Sequence, residues 1–367
     1  MFTRTDDKIT STQASIFLTD AVLGAGILTL PRGVTEIVKT PDVWLSILFG
    51  GVVIILVVFI MTKLSQQFVG KTVFQYAKRI VGRIPGGILT SLLVIYFIVI
   101  CGFEVRVLAE VTMYFLLEGT PIWGILMPFI WVSSYLILGG INSIARVFQI
   151  IFPISIFILI IAYILSTRIF DINNLRPVLS NGIMPVFSGL KSTILVYTGC
   201  EVVMVLVAHM QHPKQAVRAM ITGISIPLTL YFITVVMVIG GMSVDAVQRS
   251  TWPTIDLLRS FEIAGLFFER FEFPFLVIWM MQLFCNFTSF FYSSSLGISQ
   301  IFGLPFRSTV FGLMPVLFLA ASIPQRINDV FSLGDYIGYA SLGMFVLVPV
   351  LLSIVLLIRK KGLKQHV

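Results

Sequence analysis

The stretch Leu23–Pro31, LGAGILTLP, lies inside a run apolar enough to cross a membrane, yet it carries two glycines and a proline. Pro31 cannot donate the hydrogen bond that the Ile27 carbonyl would receive in an unbroken helix. Gly24, Ala25 and Gly26 fall near the middle of the run, where a bilayer offers no water to replace a lost bond. Either the glycines allow close helix packing around a harmless kink, or the first span is deliberately discontinuous.

The surroundings set the frame for that choice. The chain has 367 residues, 57% hydrophobic and only 11% charged, with a mean hydropathy of +1.00. Soluble domains carry roughly 25% charge, so this composition predicts an all-α polytopic membrane protein. About ten apolar runs long enough to span can be drawn: roughly 13–38, 43–66, 86–118, 121–140, 146–167, 185–210, 216–242, 272–300, 308–324 and 335–358. They are too long and too uniformly apolar for the short alternating strands of a barrel. The chain therefore reads as a single transmembrane domain, 1–367. The opening MFTRTDDKITST has neither the apolar core nor the small-residue cleavage site of a signal peptide, so the first run is expected to stay in the protein.

The formal charge is +8, but the basic residues cluster at the ends of apolar runs, a pattern of membrane topology and not of nucleic-acid binding. Gly70–Gly87 reads as a basic interfacial helix, with Val73, Phe74, Ala77, Ile80 and Val81 opposite Lys71, Lys78, Arg79 and Arg83. The Lys/Arg excess on this segment and on the RKKGLKQHV tail places both termini on the cytoplasmic side. The longest outer connection, Ser243–Phe273, is expected to form short surface helices, acting as a connector, a lid or a docking segment. Cys101, Cys200 and Cys285 lie in apolar runs without metal-ligand spacing, and His209 and His212 lack further ligands, so no metal, cofactor or disulfide framework is expected. The absence of a phosphate loop, nucleophile elbow or metalloprotease helix argues against an enzyme.

A second break favours the discontinuous reading of the first. Span 6 carries Tyr197, Thr198, Gly199, Cys200 and Glu201 in its middle. Broken helices in spans 1 and 6 of a ten-span chain predict a five-plus-five inverted repeat, the first about 13–167 and the second about 185–358. The second half of span 1 then begins near Gly26–Leu28, with free amides that favour a carboxylate. The first half of span 6 ends near Val196–Thr198, with free carbonyls that favour an ammonium group. Such a pair describes a site for a free α-amino acid.

Ionisable residues within the spans must face protein or water. Arg106 and Glu110 are four apart and could simply pair; Glu104 lies on another face and needs a different partner. Glu201 could cap the second half of span 6 or meet a ligand or a proton. Tyr96 in span 3 is a packing residue or a gate, and Lys191 is expected to snorkel outward. Asn286, Thr288 and Ser289 in span 8 supply polar groups that either glue helices or line a cavity.

GAGILTLPRGV followed by TPDVW, then GFEVRVLAE, FDINNLRPVLSNG, STWPTIDLLRSFE and FFERFEFPF together resemble the B subunit of GerA-type spore germinant receptors, along essentially the whole chain. That family is placed in the amino acid/polyamine/organocation transporter superfamily, so the resemblance implies a LeuT-like fold. It also implies a place in the inner membrane of a bacterial endospore beside an A subunit and a lipoprotein C subunit, and sensing of a nutrient germinant such as an amino acid or sugar. Carried over by motif, Gly24, Ala25, Gly26, Ile27, Tyr197, Thr198, Gly199, Cys200, Glu201 and Asn286 would line the germinant pocket. A proton-coupled amino acid symporter is the alternative.

Overall fold

The computed structural model describes residues 7–260 and 272–364. Span 1 is split into α1 (Ser11–Val22) and α2 (Gly26–Val38), bent by 53° at the break. α3 (Val43–Gln66) returns, a surface helix α4 (Val73–Val81) follows, and α5 (Arg83–Phe115) crosses as span 3. α6 (Ile122–Leu138) and α7 (Gly140–Ser166) complete the first half. Span 6 is α8 (Met184–Val196), an irregular turn at Tyr197–Gly199, then one short turn after another through α9 (Val203–Leu206) to His209. α10 (Ala216–Met242) leads to two short helices, α11 (Val244–Arg249) and α12 (Pro253–Arg259). α13 (Glu272–Phe302), α14 (Phe306–Ser322) and the pair α15 (Ile327–Ser341) and α16 (Val348–Lys364), joined by a π-helical stretch Leu342–Leu347, finish the chain.

Among the described residues, six helices are long and apolar enough to cross a bilayer, seven with the bent pair counted as one span; α6, α14 and Cys200–His209 are shorter apolar helices. Together with α8 before the second break they give the ten crossings expected from hydropathy, since 17 residues already suffice for a short span. Two boundaries differ from expectation. The basic surface helix is not one piece: Gly82 turns the chain at φ +103° and Arg83 already starts α5. α7 begins at Gly140, directly after α6, because glycine at φ +79° makes the turn in a single step. Residues 261–271 of the outer connection lie outside the described residues; Ser243–Ser260 forms the expected short helices.

We call the end of the bundle where α1 starts the near end, and the end where α2 stops the far end. α1 packs against α10, α7 and α13, whereas α2 packs against α8 and α12. Within the bundle, prolines free carbonyls that the sequence then re-satisfies from neighbouring helices. Pro31 in α2 releases the Ile27 carbonyl, and Thr254 Oγ1 in α12 donates to it at 2.8 Å. Pro227 in α10 releases the Gly223 carbonyl, and Thr19 Oγ1 in α1 donates to that one at 2.8 Å. The far-end connector is therefore stitched to the first broken span, and Gln248 of α11 adds a bond to the Thr35 carbonyl at 3.2 Å.

Removing the donor to Ile27 should expose the cost of an unmet carbonyl. Thr254→Val keeps the shape and deletes the hydroxyl, so the purified protein should lose about 1–3 kcal/mol. Thr229→Val, whose hydroxyl only bonds back to its own helix at an exposed position, should lose far less. Equal thermal midpoints for the two variants in detergent would remove this role from Thr254.

Candidate functional site

The two breaks face each other at mid-bundle. Gly199 has φ +116°, and a Cβ there would collide with the Ala21 carbonyl. Glycine is required on both counts, backbone conformation and close approach. On the other side of the contact, a Cβ on Gly26 would lie 2.5 Å from Val196 Cγ1. The end of α1 thus rests on the turn of span 6, and the start of α2 rests on the end of α8.

Buried side chains close the exposed backbone groups. At the end of α1, Asn286 Nδ2 of α13 donates to the Ala21 carbonyl at 2.6 Å, and the Tyr231 hydroxyl of α10 donates to the Val22 carbonyl at 2.8 Å. At the start of α2, the Ala25 amide donates to Glu104 Oε2 at 3.2 Å. This is the partner that Glu104 lacked on its own helix. In span 6, the Gly199 amide donates to Glu201 Oε2 at 2.9 Å, while the Tyr96 hydroxyl donates to Glu201 Oε1 at 2.7 Å. Glu201 is therefore a cap on the turn of span 6, held in place from α5.

Of the residues singled out from sequence, Gly24, Ala25, Ile27, Tyr96, Tyr197, Thr198, Gly199, Cys200, Glu201 and Asn286 are all buried around these breaks, and Gly26 is half-buried. Tyr197 stacks edge-on against Tyr231, ring centres 5.6 Å apart, and its hydroxyl is buried with no hydrogen-bond partner. The Asn286 amide oxygen is unpartnered as well. Arg106 and Glu110 do pair, at 2.6 Å, and Arg106 also reaches the Gln325 carbonyl at 3.3 Å, so this pair ties α5 to the far-end turn before α15. Thr288 bonds Ser133 of α6 at 3.3 Å and so ties α13 to α6, whereas Ser289 only bonds back to the Cys285 carbonyl within α13. Lys191 is exposed and lies over the Tyr339 ring, 3.7 Å from its centre. His209 lies at the near end beside Tyr292, and among the described residues no group of three or more His, Cys, Asp or Glu could hold a metal ion.

The free space is not at Gly26 itself, because Val196 stands against it. A vestibule of about 580 Å³ opens at the far end between α2, α5, α8 and α15 and stops at Val196, Phe103 and Thr29. Trp252 and Phe331 stand on its wall, their ring centres 5.9 Å apart. Phe103 and Tyr231 were not legible as site residues, and Val196 was expected to contribute its carbonyl and not its side chain; an apolar or aromatic side chain in an apolar run carries no mark of its position. A separate cavity of about 610 Å³ lies at the near end, among Asp7, Asn142, Arg146, His209 and Tyr292.

A family model described as Spore germination protein matches residues 8–330. This chain belongs to the spore germination protein family. It is 47% identical to Spore germination protein YndE of Bacillus subtilis (strain 168) over 364 residues, covering 99% of this chain and 100% of that one. Spore germination proteins A2 and B2 of the same organism are each 35% identical, over 96% and 98% of this chain and 97% and 98% of theirs. Among solved structures, MhsT in complex with L-phenylalanine aligns with a TM-score of 0.69 at 11% identity, over 94% of this chain and 97% of that one. A Na+-coupled sialic acid symporter aligns at 0.68 and 13%, over 92% and 77%. The fold is thus the LeuT-like one, with spans 1 and 6 broken. The spore germination protein is an integral membrane protein and not an enzyme.

The contact between the breaks sets a testable requirement. Gly199→Ala should destabilise the protein by about 2 kcal/mol or more, from the left-handed backbone and the collision with Ala21 together. Gly33→Ala, where a Cβ meets nothing within 4 Å, should be neutral or stabilising by up to about 1 kcal/mol. Thermal unfolding of the two purified variants checks the contrast.

Proposed function

We propose that this spore germination protein is the germinant-sensing membrane subunit of a receptor, taking a small molecule such as an amino acid between the broken spans and signalling to partner subunits. The observation that carries the reading is the meeting of two opposite helix ends at one buried point. The start of α2 already holds a carboxylate, that of Glu104, on the Ala25 amide. The next amides, of Gly26 and Ile27, have no acceptor within their own helix. With Val196 turned aside, a ligand carboxylate would reach these amides, alongside Glu104 or in its place. The end of α8 offers carbonyls and the negative end of its dipole to an ammonium group, and the unpartnered Tyr197 hydroxyl and Asn286 oxygen supply further polar contacts. The family and the germination proteins it resembles support a role in germination; the transporter fold supplies the pocket.

Entry is from the far-end vestibule. Val196 both lines that space and stands against Gly26, so Val196 sets which side chains pass and fit. Topology follows the basic residues: the near end faces the spore core, both termini lie on that side, and the vestibule faces outward across the inner spore membrane. The receptor A and C subunits are the partners that would turn a shift in this subunit into germination.

A proton-coupled amino acid symporter is the second reading, favoured by the fold shared with a symporter. Purified protein should bind a labelled amino acid, and Gly26→Val should weaken binding by about tenfold or more. Val196→Ala should shift preference toward larger side chains by roughly tenfold. If folded forms of both variants bind as wild type does, the ligand sits elsewhere. Vesicles holding the chain alone should not accumulate the amino acid under a proton gradient; strong accumulation would favour the symporter.

The topology has its own check. Cys101, Cys200 and Cys285 are buried, so introduced cysteines report cleanly. Arg79→Cys at the near end should be shielded from an impermeant thiol reagent added outside the spore membrane, and Asp245→Cys at the far end should react; both positions are exposed. The opposite pattern would invert the orientation.

A further inference from the structure

Two stretches of the chain carry positive charge with none of the opposite sign. Between Asp42 and Glu104 there is no acidic residue, and the basic ones are Lys63, Lys71, Lys78, Arg79 and Arg83. After Asp335 there is again none, and Arg359, Lys360, Lys361 and Lys364 follow. The fold brings the two stretches together at the near end. α16 packs against α3 and α4, and Arg359 Nη1 donates to the Arg79 carbonyl at 3.3 Å. The chain reverses at Gly82, and Gly86 packs so closely under Lys78 that a Cβ there would lie 2.6 Å from the Lys78 Cα. The first turn of α5 is thereby held against the last turn of α4, which keeps Arg83 at the same corner as Arg79.

Arg79, Arg83 and Arg359 are exposed, and none has an ion-pair partner among the described residues. Three guanidinium groups at one corner repel one another, and the low-dielectric bilayer beside them screens that repulsion poorly. An anion placed among them turns repulsion into attraction, and the planar forks of arginine match phosphate oxygens. What lies next to the arginines selects the kind of anion. Ile84 and Ile88 continue from Arg83 along α5, Leu357 and Ile358 precede Arg359 on α16, and all four are exposed. A positive corner that opens directly onto the aliphatic surface of membrane-spanning helices fits an amphiphile with an anionic head and apolar tails. An acidic protein segment would meet the charge and leave the aliphatic surface unused.

We propose that the corner formed by α4, the start of α5 and the end of α16 binds the headgroup phosphate of an anionic phospholipid in the near-end leaflet. Arg79, Arg83 and Arg359 hold the phosphate, and the acyl chains lie on Ile84, Ile88, Leu357 and Ile358. The lipid strengthens the junction between the last span and the connector of spans 2 and 3. The inference depends neither on the germinant reading nor on which way the near end faces.

Thermal unfolding of the full-length protein in an uncharged detergent tests this, with dioleoyl phosphatidylglycerol or dioleoyl phosphatidylcholine added. The two lipids share their acyl chains and differ in headgroup charge. Phosphatidylglycerol should raise the midpoint of wild type by several degrees, and phosphatidylcholine should not. Each of Arg79→Gln, Arg83→Gln and Arg359→Gln should weaken the half-effect concentration by about fivefold, and the three together should abolish the shift. Arg218→Gln, at an exposed near-end position on α10, should leave it unchanged. Native mass spectrometry of Arg359→Gln alone covers the case in which the triple variant does not fold: less phosphatidylglycerol should stay bound than on wild type. Equal responses to the two lipids would overturn the site and favour an acidic protein segment as its occupant. A full response in the folded triple variant, unchanged lipid retention in Arg359→Gln, or a loss in Arg218→Gln as large as in Arg359→Gln would overturn it as well.

Discussion

A backbone amide or carbonyl without a partner inside a bilayer costs several kcal/mol, and two broken helices create such groups in the middle of this bundle. The structure is organised around meeting them. The carbonyls of Ala21 and Val22 are taken by Asn286 and Tyr231, the Ile27 carbonyl by Thr254, the Ala25 amide by Glu104 and the Gly199 amide by Glu201. These donors and acceptors come from α5, α10, α12, α13 and span 6 itself. Polar side chains that would be expensive on the lipid face are thereby placed where the backbone demands them.

Such a network resists gradual bending at the break. α1 cannot swing relative to α2 without giving up the bonds of Asn286 and Tyr231 on one side, or those of Glu104 and Thr254 on the other. Each swap must be matched by a new partner, so discrete arrangements are favoured over a continuum. A ligand carboxylate competing with Glu104 for the start of α2 would act on one of these bonds directly. A signal to partner subunits needs a differential affinity of about 1–3 kcal/mol between two arrangements, comparable with a single charge-assisted hydrogen bond. The far-end connector is coupled to the same point, because Thr254 holds Ile27 while Trp252 of the same segment packs on Phe331.

The span count and both breaks were legible because hydropathy and the positions of Gly and Pro are local properties of the chain. Pro31 announces a free Ile27 carbonyl; nothing in the sequence says that Thr254, more than two hundred residues later, will satisfy it. The same limit applies to Glu104. Its spacing from Arg106 showed that it needed another partner, but which one depends on how α5 packs against the break. Glu201 was open between cap and ligand contact, and the Gly199 amide together with Tyr96 makes it a cap. Gly26 and Gly199 make room for close packing, since Val196 and the Ala21 carbonyl occupy the space beside them. Asp20 lies inside the first apolar run, and nothing in the sequence names its partner Gln282, which packs on it from α13.

The two ends of the molecule are closed by unequal thicknesses of protein. From the far end, the vestibule reaches Val196, the side chain that stands against Gly26. From the near end, the cavity at His209 and Tyr292 is separated from the breaks by Val202–Val207, every residue of which is buried. Ile9 lies across that segment's end, its amide donating to the His209 carbonyl at 2.8 Å and its carbonyl accepting from Gln211 at 2.9 Å. Opening the near side means releasing backbone pairing and moving α1. The near side of the breaks is therefore the more firmly held of the two, since its closure involves backbone pairing as well as side chains.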